Sequence, residues 1–231
     1  MSIIFFFLFS ISFFGTMYVM PHSIRKLREN NYLVNDMYKD KKTMIPTNGG
    51  MILVFTSFIS ISIMPLLVRI LSFILDKEFE YSDLSVEHFA FLLVISIYAL
   101  YGLVDDLVDI GRILKLILPI TFAYPLISVV KPEIFWFPFF GNQQLDVIIF
   151  SDILWSDIFR ITVVPFYVMV VANLVNMHSG YNGLQSGLSI ILVSTICIKS
   201  YQDGILGNII PIASVLGAMC AFLVFNKYPS K

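Results

Sequence analysis

The residues best suited to chemistry lie in a short acidic stretch between two long apolar runs. Asp105, Asp106 and Asp109 follow one apolar run, and Lys115 lies inside the next. Charged side chains close to lipid are costly, so they usually mark a metal ion, a bound ligand or the membrane boundary. If the helix continues past residue 106, Asp109 shares a face with Asp105 or Asp106. The pattern predicts either a site for an ion or phosphate, or a solvated helix end whose charge Arg112 balances.

Lys115 has Leu114 and Leu116 on either side. A lysine at this depth can simply extend its ammonium group to the membrane interface. It can also neutralise a phosphate held near the aspartates, because the ammonium group is a compact positive charge. The spacing favours the phosphate interpretation.

A second polar cluster lies at the end of a later apolar run. Asn173 and Asn176 are three residues apart and share one helix face. Carboxamide oxygens suit Mg²⁺, and carboxamide NH₂ groups donate to sugar hydroxyls. Gly183 lets the backbone turn tightly and approach a ligand. The alternative is that amides and small residues pack transmembrane helices together. The density of the cluster favours a site, and nearby His178 receives no role.

The elements that must position these residues are membrane helices. The 231 residues are 58% hydrophobic and 13% charged, with a mean hydropathy of +0.84, whereas soluble domains average about 25% charged residues. The net charge of -1 predicts no nucleic-acid partner. Cys197 and Cys220 lie inside apolar runs and are interpreted as buried thiols.

A spanning helix needs about 20 apolar residues, and on that rule the chain forms one all-α polytopic membrane domain over 1–231. The segment 131–157 is aromatic but interrupted by prolines, so we predict a loop of extended or hairpin character. Seven spans are predicted, at about 2–20, 50–72, 89–104, 113–130, 158–177, 185–201 and 206–225.

Basic residues set the predicted orientation. Placing the first loop in the cytoplasm puts the N-terminus outside. Alternation of the spans then brings the Asp105 stretch and the loop at 178–184 to the cytoplasmic face as well. The basic residues concerned are Arg25, Lys26, Arg28, Lys39, Lys41 and Lys42.

Taken in order, these pieces resemble the polyprenyl-phosphate N-acetylhexosamine-1-phosphate transferases, a glycosyltransferase 4 type family. Ser179 and Asn182 stand where bacterial members usually have aspartate, so the chain is most similar to the archaeal and eukaryotic branch that acts on dolichyl phosphate. The matching elements are Asp36-x-x-Lys39, Ile45-Pro46-x-x-Gly49-Gly50, Gly102-x-x-Asp105-Asp106, Lys115, Asn173-x-x-Asn176-x-x-Ser179-Gly180-x-Asn182-Gly183-Leu184 and the closing segment Asn226-Lys227-Tyr228-Pro229-Ser230-Lys231.

The resemblance implies transfer of GlcNAc-1-phosphate from UDP-GlcNAc to a polyprenyl phosphate, with release of UMP, as the first step of lipid-linked oligosaccharide synthesis for N-glycosylation. It implies Mg²⁺ or Mn²⁺ as cofactor, the lipid bilayer as surroundings, and an archaeal plasma membrane or eukaryotic ER membrane as location; a homodimer stays open. The implied roles are catalytic for Asp105, Asp106 and Lys115, metal-binding for Asn176, and substrate-binding for Asn173, Asn182, Asp109, Lys39 and Gly183.

The sequence departs from the family pattern in two places. Thr47 stands where many relatives carry glutamate, and the chain ends at Lys231, before a Gly-Asp element whose aspartate is a metal ligand in the family. The expectation is a C-terminally truncated version of a ten-helix family fold. Three alternatives remain open: a phosphosugar transferase of pseudomurein or peptidoglycan synthesis, a non-catalytic membrane subunit, and a transporter.

Overall fold

The structure is a computed structural model that describes residues 2–35, 44–76, 79, 86–108, 110–129, 134–137, 141–144, 148–150, 153–177, 181–204, 206–228 and 230. Seven α-helices and three two-stranded hairpins lie within these ranges. The helices are α1 (Ser2–Glu29), α2 (Gly49–Leu75), α3 (Val86–Val108), α4 (Arg112–Phe122), α5 (Trp155–Met177), α6 (Leu184–Gln202) and α7 (Leu206–Asn226). The strands are β1 (Leu33–Asn35), β2 (Met44–Pro46), β3 (Ile134–Phe137), β4 (Gly141–Gln144), β5 (Ile148–Phe150) and β6 (Ile153–Leu154).

The protein is an all-α polytopic membrane protein, as predicted. Within the described ranges, α1, α2, α3, α5 and α6 are long and apolar enough to cross a bilayer. A shorter apolar helical stretch, Pro211–Asn226, lies in α7. Many large apolar side chains on these helices are exposed, as expected for surfaces that face lipid.

The predicted span over 113–130 is wrong. α4 has only 11 residues and is about 17 Å long at ~1.5 Å per residue, well short of the roughly 30 Å hydrocarbon core. Its last turn contains Pro119, and a short 3₁₀ helix, Tyr124–Ser128, follows with Pro125 in its first turn. The apolar run therefore changes from α-helix to 3₁₀ helix after Phe122 and does not form one continuous span.

The first helix is longer than predicted. Instead of ending near Met20, α1 continues to Glu29, so Arg25, Lys26 and Arg28 lie on a helix and not in a loop. The ammonium group of Lys26 lies 2.7 Å from the Glu29 carboxylate in this extension. Strands β1 and β2 then pair antiparallel and lead to α2.

The described chain divides into two compact units, each treated by itself: unit 1 is Met1–Leu84 with His178–Lys231, and unit 2 is Ser85–Met177. In unit 1, α7 packs against α1, α2 and α6. Buried hydroxyls join three of these helices. Ser60 Oγ donates to the Leu8 carbonyl at 2.8 Å, and Ser214 Oγ donates to Ser60 Oγ at 3.0 Å.

Unit 2 contains α3, α4 and α5, with α4 packed on both neighbours. The Tyr98 hydroxyl on α3 donates to the Pro119 carbonyl on α4 at 3.1 Å. The Phe122 ring meets the rings of Tyr98 and Tyr101 edge-on. These contacts fix α4 against the last turns of α3. The predicted hairpin character of 131–157 is confirmed where the chain is described, because β3 pairs with β4 and β5 with β6.

Candidate functional site

The ammonium group of Lys115 contacts the carboxylate of Asp105 in unit 2. Lys115 Nζ lies 2.8 Å from Asp105 Oδ1, with the two side chains 28% and 21% exposed. Asp105 lies in the last turn of α3, and Lys115 lies on the first turns of α4. The turn between the two helices therefore brings together two residues that are 10 positions apart in the sequence.

The same carboxylate oxygen also holds the turn. The backbone N–H of Ile110 donates to Asp105 Oδ1 at 3.1 Å. One oxygen thus accepts from the loop backbone and pairs with the lysine, so the direction of the ammonium group is coupled to the path of the α3–α4 connection. We call Asp105, Asp106 and Lys115, with this connection, the lysine site.

Asp106 differs from its neighbour in its surroundings. It is exposed, and successive helical residues point about 100° apart, so it does not share the direction of Asp105. Asp109 lies outside the described residues, and α3 ends at Val108. The shared face that we expected for Asp109 therefore stays a prediction.

Asn173 and Asn176 lie in the last turns of α5, the helix that packs against α4 within unit 2. Asn173 is half-buried, and its Nδ2 donates to the Met169 carbonyl of the same helix at 2.9 Å. Asn176 is exposed one residue before the helix ends. Their amides thus differ: one is directed along its own helix, and the other lies at the helix end.

Unit 1 contains the remaining described site residues. Asn182 and Gly183 form a turn that leads into α6. Gly183 has φ +81°, and a Cβ on it would lie 3.3 Å from the Lys227 Cα. A glycine is needed there both for the left-handed backbone and for the close approach of the chain after α7. Lys39, His178, Ser179 and Gly180 lie outside the described residues.

Asn226 is a residue whose contacts the sequence did not predict. Its Oδ1 accepts hydrogen bonds from the Gly183 N–H at 3.1 Å and from Ser186 Oγ at 2.9 Å. We call this arrangement the Asn182 turn: Asn182, Gly183 and Ser186, held by Asn226. The only sequence feature that pointed to Asn226 was its position as the first residue of the closing segment.

The described part of the chain contains no cluster of three or more His, Cys, Asp or Glu side chains able to hold a metal. Mg²⁺ does not require one, since it commonly binds one or two protein oxygens together with substrate phosphates and waters. Asp106 and Asn176 are exposed residues, and their side-chain oxygens are ligands of that hard type. The residues present therefore fit a substrate-bridged Mg²⁺ ion.

A comparison with protein families decides the assignment. The sequence profile described as glycosyl transferase family 4 matches residues 88–231, which is more than half of the chain and includes both the lysine site and the Asn182 turn. The chain belongs to glycosyl transferase family 4. Enzymes of this family generally depend on a divalent metal ion.

Three individual relatives share 28–29% sequence identity with this chain. A Saccharolobus solfataricus protein provisionally named UDP-N-acetylglucosamine–dolichyl-phosphate N-acetylglucosaminephosphotransferase is 29% identical, over 96% of this chain and 62% of its own length. A Sulfolobus acidocaldarius protein with the same provisional name is 28% identical, over 88% of this chain and 57% of its own length. A Bacillus pumilus phospho-N-acetylmuramoyl-pentapeptide-transferase is 28% identical, over 83% of this chain and 56% of its own length. The chain thus spans less than two thirds of the length of these family members.

Proposed function

We propose that this chain transfers GlcNAc-1-phosphate from UDP-GlcNAc to a dolichyl-type polyprenyl phosphate and releases UMP. The observation that carries the proposal is the contact between Lys115 and Asp105, which places a cation at the acidic end of α3 in a family 4 protein. The names of the two archaeal relatives support this choice of donor and acceptor.

In the proposed reaction, an oxygen of the lipid phosphate attacks the sugar-side phosphorus of the donor. A P–O bond to the lipid phosphate forms, the P–O bond to the UMP phosphate breaks, and UMP leaves with that electron pair. A phosphate monoester has a second pKa near 6, so the nucleophile is already mostly ionised at neutral pH. The main barrier is therefore bringing anions together, and not removing a proton.

The lysine site addresses that barrier. An ammonium group has three donors and can bind a carboxylate and a phosphate at the same time. Held by Asp105, Lys115 would stabilise the negative charge that builds up on the phosphates. Asp106 would accept a proton from any acceptor that is still a monoanion.

The amides would orient the donor. Asn176 would hold Mg²⁺, which when bound neutralises charge on the pyrophosphate. The Asn182 turn would contact the sugar, with Asn182 donating to its hydroxyls and Gly183 permitting close approach. Asn173, Asp109 and Lys39 complete the proposed substrate-binding set. We propose that these groups work at the cytoplasmic face, in one membrane domain.

The test is a transferase assay with membranes from cells that express this protein, supplied with radiolabelled UDP-GlcNAc, dolichyl phosphate and Mg²⁺, beside membranes from cells that lack it. We expect label in the lipid fraction and release of UMP. Label only from a UDP-N-acetylmuramoyl-pentapeptide donor would favour the second candidate function, a cell-wall phosphosugar transferase, to which the match with the Bacillus pumilus enzyme points.

The non-catalytic alternative is tested by changing Asp106 to Asn. If the chain is only a membrane subunit, cells carrying this substitution grow normally. If Asp106 takes part in catalysis, the substitution abolishes synthesis of the labelled lipid while the protein remains in the membrane at its usual level.

A further inference from the structure

Asn226 ends α7 and reaches the start of α6 in the same unit. Its Oδ1 accepts two hydrogen bonds, from the Gly183 N–H at 3.1 Å and from Ser186 Oγ at 2.9 Å. Gly183 and Asn226 are separated by 43 positions. A single carboxamide oxygen therefore connects two segments that the sequence keeps far apart.

The turn that receives these bonds leads into α6 without a side-chain cap at the N-cap residue. Helix N-termini leave backbone N–H groups without partners, and the residue at the N-cap position of α6 is Gly183, which has no side chain to cap the helix. Its left-handed backbone, φ +81°, lacks the restriction that a Cβ would impose. Ser186 Oγ also contacts the Gly183 carbonyl, at 3.3 Å. The bonds to Asn226 thus supply an external anchor for this turn.

We propose that Asn226 is a positioning residue, which holds the Asn182 turn in the conformation that binds the sugar nucleotide. The proposal rests on the function proposed above. Asn226 would act through Gly183 and Ser186, whereas Asn182 would make the contact with the donor. The consequence is that the affinity for UDP-GlcNAc depends on a side chain that need not touch it.

A conservative substitution distinguishes a role of the Asn226 side-chain oxygen from a role of its NH₂ group. Both hydrogen bonds end on an oxygen that only accepts, and a carboxylate oxygen accepts in the same way. Asn226→Asp keeps both bonds, whereas Asn226→Ala removes both. If Asn226 instead served through its NH₂ group, Asp would be as damaging as Ala.

The experiment combines two readouts on the 1–231 chain in detergent: hydrogen exchange of the peptide that contains residues 181–187, and the dissociation constant for UDP-GlcNAc. For Asn226→Ala we expect faster exchange and about tenfold weaker binding, because the turn loses both hydrogen bonds that hold it. Asn226→Asp should stay within about threefold of the wild type. Asn30→Ala, at an exposed asparagine that follows α1, is the matched control and should change neither readout.

Ser186→Ala is a second test, to be used if the Asn226→Ala chain does not fold. It removes one of the two bonds and should give an intermediate change in both readouts. Unchanged exchange in a folded Asn226→Ala chain overturns the anchoring role. Faster exchange with unchanged affinity overturns its link to the substrate, as does an Asn226→Asp chain that binds as weakly as Asn226→Ala.

The two proposals fail in different ways. A wild-type chain that does not bind UDP-GlcNAc overturns the proposed function, and this inference with it. A wild-type chain that binds UDP-GlcNAc, beside an Asn226→Ala chain that binds it equally well, overturns the positioning role alone.

Discussion

Lys115 Nζ and Asp105 Oδ1 face each other 2.8 Å apart across the connection between α3 and α4. Because the Ile110 N–H donates to the same oxygen, the pair is part of the backbone turn and not only a contact between two side chains. Changing either partner therefore has separable electrostatic and structural effects.

Replacing Lys115 with Met should lower the transferase rate by about 10²–10³-fold, the usual effect of removing one group that stabilises transition-state charge. Lys115→Arg keeps the charge but not the compact ammonium group, so we expect partial activity. The measurement is the rate of lipid labelling at saturating UDP-GlcNAc. Lys199→Met is the control, because Lys199 forms an exposed ion pair with Asp203 at the far end of α6. Equal rates for the Lys115→Met and Lys199→Met chains would contradict the role of Lys115.

The strength of the Asp105–Lys115 pair can be measured by a double-mutant cycle with Asp105→Asn and Lys115→Met. The asparagine oxygen still accepts from the Ile110 N–H, so the cycle isolates the ionic contact. For a pair whose side chains are about three quarters buried, we expect a coupling free energy of unfolding of about 1–3 kcal/mol, between the values for exposed and buried pairs. Additive single effects would show that the contact does not contribute to stability.

Gly183→Ala should be more destabilising than Gly204→Ala. Both glycines have positive φ, +81° and +72°, so alanine at either costs about 1 kcal/mol of backbone strain. Only at Gly183 would the added Cβ also crowd a backbone atom, the Lys227 Cα at 3.3 Å. Thermal unfolding of the two variants measures the difference. The same melting temperature for both variants would show that the segment after α7 can move away from the added Cβ without loss of stability.

Gly217→Ala tests the packing of α7 on α1. A Cβ at this position would overlap the Phe9 carbonyl oxygen and the Ser12 hydroxyl, and overpacking of this kind usually costs about 1–3 kcal/mol. Gly15→Ala is the control, because its Cβ would meet Thr56 at an ordinary 3.7 Å. We expect a lower melting temperature for Gly217→Ala alone, and a pair of equally stable variants would refute the close approach of these helices.

Asn176→Ala should raise the Mg²⁺ concentration needed for half-maximal transfer, with a smaller effect on the rate at saturating Mg²⁺. The reason is that the substituted chain loses one oxygen ligand, while the donor phosphates and waters retain theirs. Titration of activity with Mg²⁺ after treatment with EDTA gives both values. An unchanged Mg²⁺ requirement would remove Asn176 from the metal site.

The sequence predicted the long helices well, because a run of about 20 apolar residues is a strong and local signal. It failed at α4 because hydropathy does not register the change from α-helix to 3₁₀ helix after Phe122. It also ended α1 too early, since the charged residues after Met20 leave the apolar pattern without ending the helix.

The site was predictable to the extent that its residues cluster along the chain. Lys115 and Asp105 are close in sequence, so a tight turn between helices is enough to bring them together. The bonds between Asn226 and Gly183 depend on how α7 packs on the start of α6, and no local pattern reports that packing.

The buried hydroxyls that join α1, α2 and α7 have a practical consequence for handling the protein. The contact of Thr16 Oγ1 with Thr56 Oγ1, at 2.6 Å, and the chain from Ser214 through Ser60 to Leu8 do not owe their strength to the expulsion of water. Such an interface should survive the exchange of lipid for a mild detergent micelle. We expect these three helices to remain assembled during extraction and to be the last part of the protein to melt.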